Sequence, residues 1–332
     1  MSAGQYILTS SAVPRNAQLH SGAGRIVRLH LRPFSLAERG LTKQTITLSS
    51  LLEEKSKIKS QHIDVSQHVY VEEILKSGFP GIRTIPDEYR KDMLDGYIDN
   101  IVEKEFPEQG AQVRRPETLR AWLKAYAAAE GSTASYESIM GAATLGQDKK
   151  PAKATTMVYR DVLASLWITD PVLPWTSEGN IYRNLGKTPK HYLVDPALTA
   201  RLLGITEKTL LAGKEVRILG SQRKTAIGRL FESLVAQSLK VYTDAIGAQL
   251  SHLRTVRGDH EVDFIVEKDD ALIALEVKFS PLVKEEDVKQ INWFEGVVQD
   301  RHIVKAVVYT GQYLTKRETD GVLLIPAACL EM

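Results

Sequence analysis

Asp263, Glu276 and Lys278 are the residues whose types and spacing are best suited to chemistry. They lie in HEVDFIVEKDDALIALEVKFS, residues 260–280. Polar and apolar residues alternate on both sides of an acidic turn, the pattern of a β-hairpin with strands over 261–267 and 271–279. A two-residue turn at Asp269 and Asp270 sets Asp263 directly across from Glu276. Val262, Phe264, Val266, Ile273, Leu275, Val277 and Phe279 then share one face, and Glu261, Asp263, Glu276 and Lys278 the other. A slip of one residue would mix the two sets. Carboxylates opposed in this way have β-carbons ~5 Å apart and call for a cation between them. Mg²⁺ or Mn²⁺, held by two carboxylates, a carbonyl and waters, meets that need, and Lys278 on the same face can hold a phosphate or favour a hydroxide. The same register sets Glu261 across from Lys278, so a solvated surface pair is the competing explanation.

The arrangement resembles the PD-(D/E)xK nuclease core, in which an Asp and the Glu of E-x-K bind metal and the Lys serves the attacking water. The resemblance implies Asp263 and Glu276 as metal ligands and Lys278 as the group that orients or deprotonates water. It puts Glu232, on the preceding helix, in the place of an additional helical carboxylate. In that helix Ile227, Leu230, Phe231, Leu234 and Val235 form the apolar stripe and Glu232 sits on its shoulder, where a solvated flank is the alternative. Later in the chain Gln290, on a helix over 285–294, is within reach of the Lys278 site. His252, Arg254 and Arg257 precede the hairpin as candidate phosphate contacts or as exposed loop charge. The apolar segments AVVYTG and VLLIP read as further buried strands.

The elements that must position these groups occupy a chain of 332 residues, 43% hydrophobic and 25% charged, enough to bury a sizeable core in two or three domains. Net charge is +2, but regionally it runs +6 over 1–60, −6 over 61–110, +4 over 111–190 and −2 over 191–332. A single cysteine, Cys329, excludes an internal disulfide framework and a cysteine-rich zinc site. There is no apolar run of transmembrane length and no basic-then-apolar leader, which makes the cytoplasm the expected compartment and argues against a membrane partner.

In chain order, Tyr6, Ile7 and Leu8 read as a buried strand ending in Thr9 and Ser10, and RIVRLHLRPFS as a second strand after the SGAG loop. Helical segments follow at 49–59, 69–76 and 86–105. Residues 116–180 read as a winged helix-turn-helix. Pro116 opens a helix to Ala129 with Leu119, Trp122, Leu123 and Tyr126 on one face. A short helix spans 132–140, and a third spans 154–166 and buries Met157, Val158, Val162 and Leu166. Lys149, Lys150, Lys153 and Arg160 would meet phosphates if that third helix enters a major groove, or else they solubilise a loop. HYLVDPALTARLLG reads as a strand and a helix.

YILTSS, HSGAGRIVRLHLRPFSLAE and SGFPG, followed by LRAWLKAYAA, PKHYLVD, GRLFESLVAQSL, EVDFIV and LEVKFS, are similar in order to the AAA-type ATPases that carry a C-terminal domain of unknown function (DUF4143). The resemblance implies that Thr9 or Ser10 senses a γ-phosphate and that Arg25 stabilises it. The Gly-x4-Gly-Lys-Ser/Thr phosphate loop is not in the sequence, since Gly186-Lys187-Thr188 has Ile181 where the first glycine belongs. ATP is therefore expected only if a missing N-terminal half is present.

These readings give an α/β multi-domain chain. A truncated AAA-type ATPase remnant at 1–48 is followed by a helical lid or linker at 49–115, a winged helix at 116–180 and a PD-(D/E)xK-like domain at 190–332. The expected function is DNA-associated, with metal-dependent phosphodiester cleavage. The alternative is a non-catalytic scaffold binding nucleic acid or protein. A chain opening in mid-sheet also calls for a homo-oligomer or partner to cover its strand edge.

Overall fold

The computed structural model describes residues 7, 9–10, 27, 29–53, 58–110, 115–144, 153–176, 188–212, 225–255, 257–298 and 301–332. The fold is mixed α/β, organised on an eight-stranded mixed sheet. In chain order the strands are β1 (Ile46–Thr47), β2 (Gln61–His62), β3 (Leu173–Pro174), β4 (Gln249–Arg254), β5 (Glu261–Lys268), β6 (Ala271–Lys278), β7 (His302–Tyr309), β8 (Tyr313–Lys316), β9 (Leu323–Pro326) and β10 (Leu330–Glu331). The large sheet runs β2-β8-β9-β7-β6-β5-β4-β3, and β1 pairs with β10 in a small parallel sheet of its own. β4, β5 and β6 are antiparallel, whereas β6, β7 and β9 run parallel.

The helices are α1 (Leu48–Leu52), α2 (Gln67–Lys76), α3 (Pro80–Arg83), α4 (Asp87–Asn100), α5 (Phe106–Glu108), α6 (Pro116–Ala128), α7 (Tyr136–Ala143), α8 (Lys153–Ser165), α9 (Pro196–Leu203), α10 (Glu207–Leu211), α11 (Ala226–Ile246) and α12 (Glu285–Val297). A π-helical turn, Ile101–Glu105, joins α4 to α5 into one rod. That widening lies one turn before Pro107, which has no N–H for the Glu103 carbonyl, so the rod loosens where a sequence reading ends it.

α11 is the axle. Thr225 caps its start by accepting from the Gly228 N–H, and Gly247 ends it at φ +66°. Ile227, Leu230, Phe231, Leu234 and Val235 pack beneath it with Phe264, Val266, Ile273, Leu275 and Val277. α12 covers the other face of the sheet through Val288, Ile291 and Phe294, against Val262, Ile265, Leu272 and Ala274. A third core joins α4, α6, α8 and α9 through Leu94, Trp122, Tyr126, Val162 and Leu198. α11 is buried on every side, and its polar residues Arg229, Glu232, Ser233, Gln237 and Lys240 must all find partners inside the protein.

At its middle, Gln237 accepts from Arg39 at 2.9 Å and donates to Asp195, whose other oxygen caps α9. Asp195 also accepts from the Gly78 N–H at 2.6 Å. A side chain at Gly78 would meet Arg39, Gln237 and the Phe34 carbonyl at 2.8–2.9 Å, so the close approach requires glycine in SGFPG.

Two expectations are corrected here. Ile7, Val27, Leu29 and Leu31 are 86–91% exposed and lie in no strand, while Tyr6, Leu8, Ile26 and Arg28 lie outside the described residues. Thr9 and Ser10 are exposed, and Arg25 lies outside the described residues. In α8 the buried stripe is Tyr159, Val162, Leu163 and Leu166, while Met157 and Val158 are 48% and 44% exposed. The helix is where the sequence predicts it, but its inward face is rotated toward the aromatic ring of Tyr159, which packs on Phe106 and Trp122.

Candidate functional site

The hairpin has the register its alternation predicts: Phe264 pairs with Leu275, Ile265 with Ala274 and Lys268 with Ala271. Asp269 turns the corner at φ +53°. The other side of β5 is less regular. Ser251 pairs with Ile265 but Leu253 pairs with Val262, so Asp263 and Phe264 together oppose His252. This bulge moves Val262 off the Phe264 face and into the core under α12, correcting the single apolar face read from sequence. It also frees the Asp263 carboxylate to accept from the Val277 N–H at 3.1 Å.

Of the two carboxylates expected to share a cation, Asp263 is met by an ammonium of the chain itself, whereas Glu276 pairs with Lys278. The Lys190 Nζ lies 2.7 Å from Glu232 Oε1, 2.9 Å from Asp263 Oδ1 and 3.4 Å from Glu261 Oε1. Lys190 is 1% exposed, as are Glu232 and Asp263. Burial alone would lower its pKa, but Asp263, Glu232 and Glu261 outweigh burial and hold the ammonium well above the ordinary lysine range. The Phe264 ring, 5.5 Å from the Nζ, adds a cation–π contact. Glu232 also accepts from the Tyr192 hydroxyl at 2.5 Å, and burial followed by that carboxylate keeps the phenol protonated.

The backbone fixes this lysine as firmly as its charge does. Lys190 exchanges two hydrogen bonds with Val172, each 2.9 Å. His191 donates to Ser132 O and accepts at its carbonyl from the Gly131 N–H. Gly131, at φ +63°, would bring a β-carbon to 3.3 Å from Glu232 Oε1. Beside it, Glu130 accepts from Ser233 Oγ, the Leu193 N–H and Thr199 Oγ1 at 2.5, 3.1 and 3.0 Å. Burial pushes the Glu130 carboxyl up to about 7 despite these donors.

Lys278 belongs to a more open group. Its Nζ is 3.0 Å from Glu276 Oε1 and 3.6 Å from Asp287 of α12. Glu276 alternates with Leu275 and Val277, whose side chains lie under α11, and so takes the other side of its strand. Gln290 does not reach this group: its Oε1 is 2.9 Å from His260 Nδ1, and His260 stacks on Trp293 at 3.8 Å.

The metal expectation can be weighed on this donor set. Around Glu232, Asp263 and Glu261 stand three cations: Lys190, Arg254 at 3.8 Å from Glu261, and Arg229, which is coupled electrostatically to Glu232 and Glu261. A divalent ion on Asp263 and Glu232 would have to displace the buried Lys190 ammonium and leave that charge in the interior, a cost of several kcal/mol. Among the described residues no three His, Cys, Asp or Glu side chains are grouped as metal ligands. With Lys190 on Asp263 and Lys278 on Glu276, the residues present do not fit Mg²⁺ or Mn²⁺ between those two acids.

Of the four predicted nucleic-acid contacts, Arg160 is the one whose side chain is described. Lys149 and Lys150 lie outside the described residues, and so does the side chain of Lys153 at the start of α8. Arg160 pairs with its neighbour Asp161 at 2.8 Å and lies over the Tyr136 ring at 5.3 Å. Arg254 Nη1 donates to Thr133 at 3.2 Å, and His252 is buried. Lys190, Tyr192 and Glu130 were missed by sequence reasoning. The available signal was a lysine inside the apolar run PKHYLV, where a solvated charge is out of place.

Two family models match the chain, one on each side of this cluster. Residues 67–209 match a family model described as a domain of unknown function (DUF8612), and residues 227–330 match a domain of unknown function (DUF4143). The boundary between the two matches falls between Lys190 and the acids that it bridges. The chain is similar to Uncharacterized protein Rv2008c of Mycobacterium tuberculosis and Uncharacterized protein Mb2031c of Mycobacterium bovis, at 24% identity over 237 residues in each case. The alignments cover 70% of this chain and 47% of each relative, so the chain spans about half the length of the curated relatives it matches. Among the described residues no helix is long and apolar enough to cross a membrane.

Proposed function

We propose that this chain is a DNA-associated scaffold whose C-terminal domain keeps a PD-(D/E)xK-like arrangement without cleaving phosphodiesters. Support for the nuclease-like ancestry comes from the hairpin register, the E-x-K on β6 and the carboxylate on α11. One observation carries the non-cleaving assignment: the Lys190 ammonium, 1% exposed, lies 2.9 Å from Asp263, one of the two expected metal ligands, and 2.7 Å from the helical carboxylate Glu232. Lys278, paired with Glu276, then has no metal-bound water to serve.

DNA association is supported by the three-helix unit α6, α7 and α8 and by the +4 charge of residues 111–190. The strand after α8 is tied elsewhere. β3 pairs with β4, and Trp175 Nε1 donates to Glu267 at 3.0 Å. That leaves α8 and the Lys149, Lys150, Lys153 and Arg160 set to meet phosphates. ATP would act only through a phosphate loop supplied from outside this sequence. Ile7, Val27, Leu29 and Leu31, 86–91% exposed, favour a partner or a second copy over that region, which light scattering of the purified chain tests.

The decisive experiment incubates the protein with plasmid and linear DNA in Mg²⁺ or Mn²⁺ and follows DNA binding by anisotropy across a salt series. The expected result is binding that weakens with salt and no cleavage above background. Metal-dependent cutting that disappears in Lys278→Ala would overturn the assignment.

A further inference from the structure

The geometry points to a primary-ammonium site in the DUF4143 region, formed by Glu232, Asp263 and Glu261, roofed by Phe264 and filled in cis by Lys190 from the DUF8612 region. This rests on the non-cleaving reading and extends it, because it names the ligand class of that core. Three features make the site specific for R–NH₃⁺ rather than for any cation.

An ammonium has three N–H donors, and three carboxylate oxygens stand at 2.7, 2.9 and 3.4 Å from its nitrogen. Arg229 and Arg254 also lie against these acids, which limits the positive charge the cluster takes from a ligand. The ammonium has an apolar flank as well, since the Phe264 ring centroid is 5.5 Å from the Nζ and Phe264, in ring contact with Tyr192, is fully buried. The segment that carries the lysine is clamped by Val172 on one side and, at the next residue, by Gly131 and Ser132 on the other. The amine is therefore delivered by the neighbouring region at high effective concentration.

The test uses the full chain and chemical rescue. Lys190→Ala removes Cγ, Cδ, Cε and Nζ, the atoms of n-propylammonium. The variant should unfold several degrees below wild type. Millimolar n-propylammonium should restore much of the loss saturably, tetramethylammonium should not, and wild type should respond to neither ion nor to Mn²⁺ or EDTA. Adding Asp263→Asn to Lys190→Ala should abolish the rescue.

If Lys190→Ala does not fold, Lys190→Met and Lys190→Met with Asp263→Asn replace it, and the double variant should be the more stable of the two. A folded Lys190→Ala indifferent to n-propylammonium would overturn the inference, as would a Lys190→Met no less stable than its Asp263→Asn double variant. So would a wild-type midpoint that rises saturably with Mn²⁺ and ceases to do so in Asp263→Asn. The cleavage assay is separate: wild-type cutting sinks the scaffold reading, while failed rescue without cutting sinks the ammonium site alone.

Discussion

Two lysines serve the same hairpin, and they differ in what surrounds them. Lys190 is 1% exposed, comes from a segment more than seventy residues away, and bridges acids on a helix and a strand. The Lys278 side chain is 28% exposed and pairs with a residue two positions before it and with Asp287 of α12. The E-x-K motif marks the second group, which is partly screened by solvent. The first carries no local motif and has the stronger electrostatic coupling, because low dielectric and full burial magnify both its attraction and the penalty for breaking it. A recognisable spacing therefore locates a region of chemistry without locating its most strongly bound charge.

The sharpest break in that contrast is Lys190→Ala, expected to cost ~3–5 kcal/mol by denaturant titration because it strands Glu232 and Asp263 in the interior. Lys190→Met combined with Glu232→Gln and Asp263→Asn should regain much of that loss. A loss under ~1 kcal/mol for Lys190→Ala would make the two lysines equivalent and erase the comparison. Tyr192→Phe takes one donor from Glu232 and should cost ~1–3 kcal/mol while leaving the fold intact.

A smaller, pH-dependent difference belongs to Glu130, next to the buried group. Burial raises its carboxyl from 4.5 to about 7, so the folded state keeps a proton that the unfolded chain has released. Its contribution to stability is full below pH 4.5 and is lost as pH rises through about 7. Glu130→Gln cannot titrate and should show a flatter stability profile than wild type between pH 5 and 8. Parallel profiles for the two proteins would remove Glu130 as the titrating group.

The smallest effect is expected for Lys278→Ala, ~1 kcal/mol or less and diminishing as salt is added. A cost comparable to that of Lys190→Ala would show that the exposed pair matters as much as the buried one.

Much of the frame was legible in the amino acids. The alternation through residues 261–278 set the hairpin register, because the side-chain period of a strand permits no other. Pro116 and the spacing of Leu119, Trp122 and Tyr126 marked α6, and Ile227, Leu230, Phe231 and Leu234 marked the inward stripe of α11. The inward face of α8 was misread because Met157 and Val158 are apolar but lie off the Tyr159–Val162–Leu166 stripe. The bulge at Asp263 and Phe264 was also illegible, since it depends on what β4 presents opposite them.

What the sequence by itself determined is therefore local: periodicity, caps and turns, and the presence of opposed acids that needed a counter-charge. Lys278, two residues on, answers Glu276, but which cation answers Asp263 was decided by tertiary structure, because an ammonium can be supplied from any distance along the chain. Folding brought the segment around Lys190, between Val172 and Gly131, to the hairpin, and the low dielectric there turned an unremarked lysine into a buried bridge among three acids.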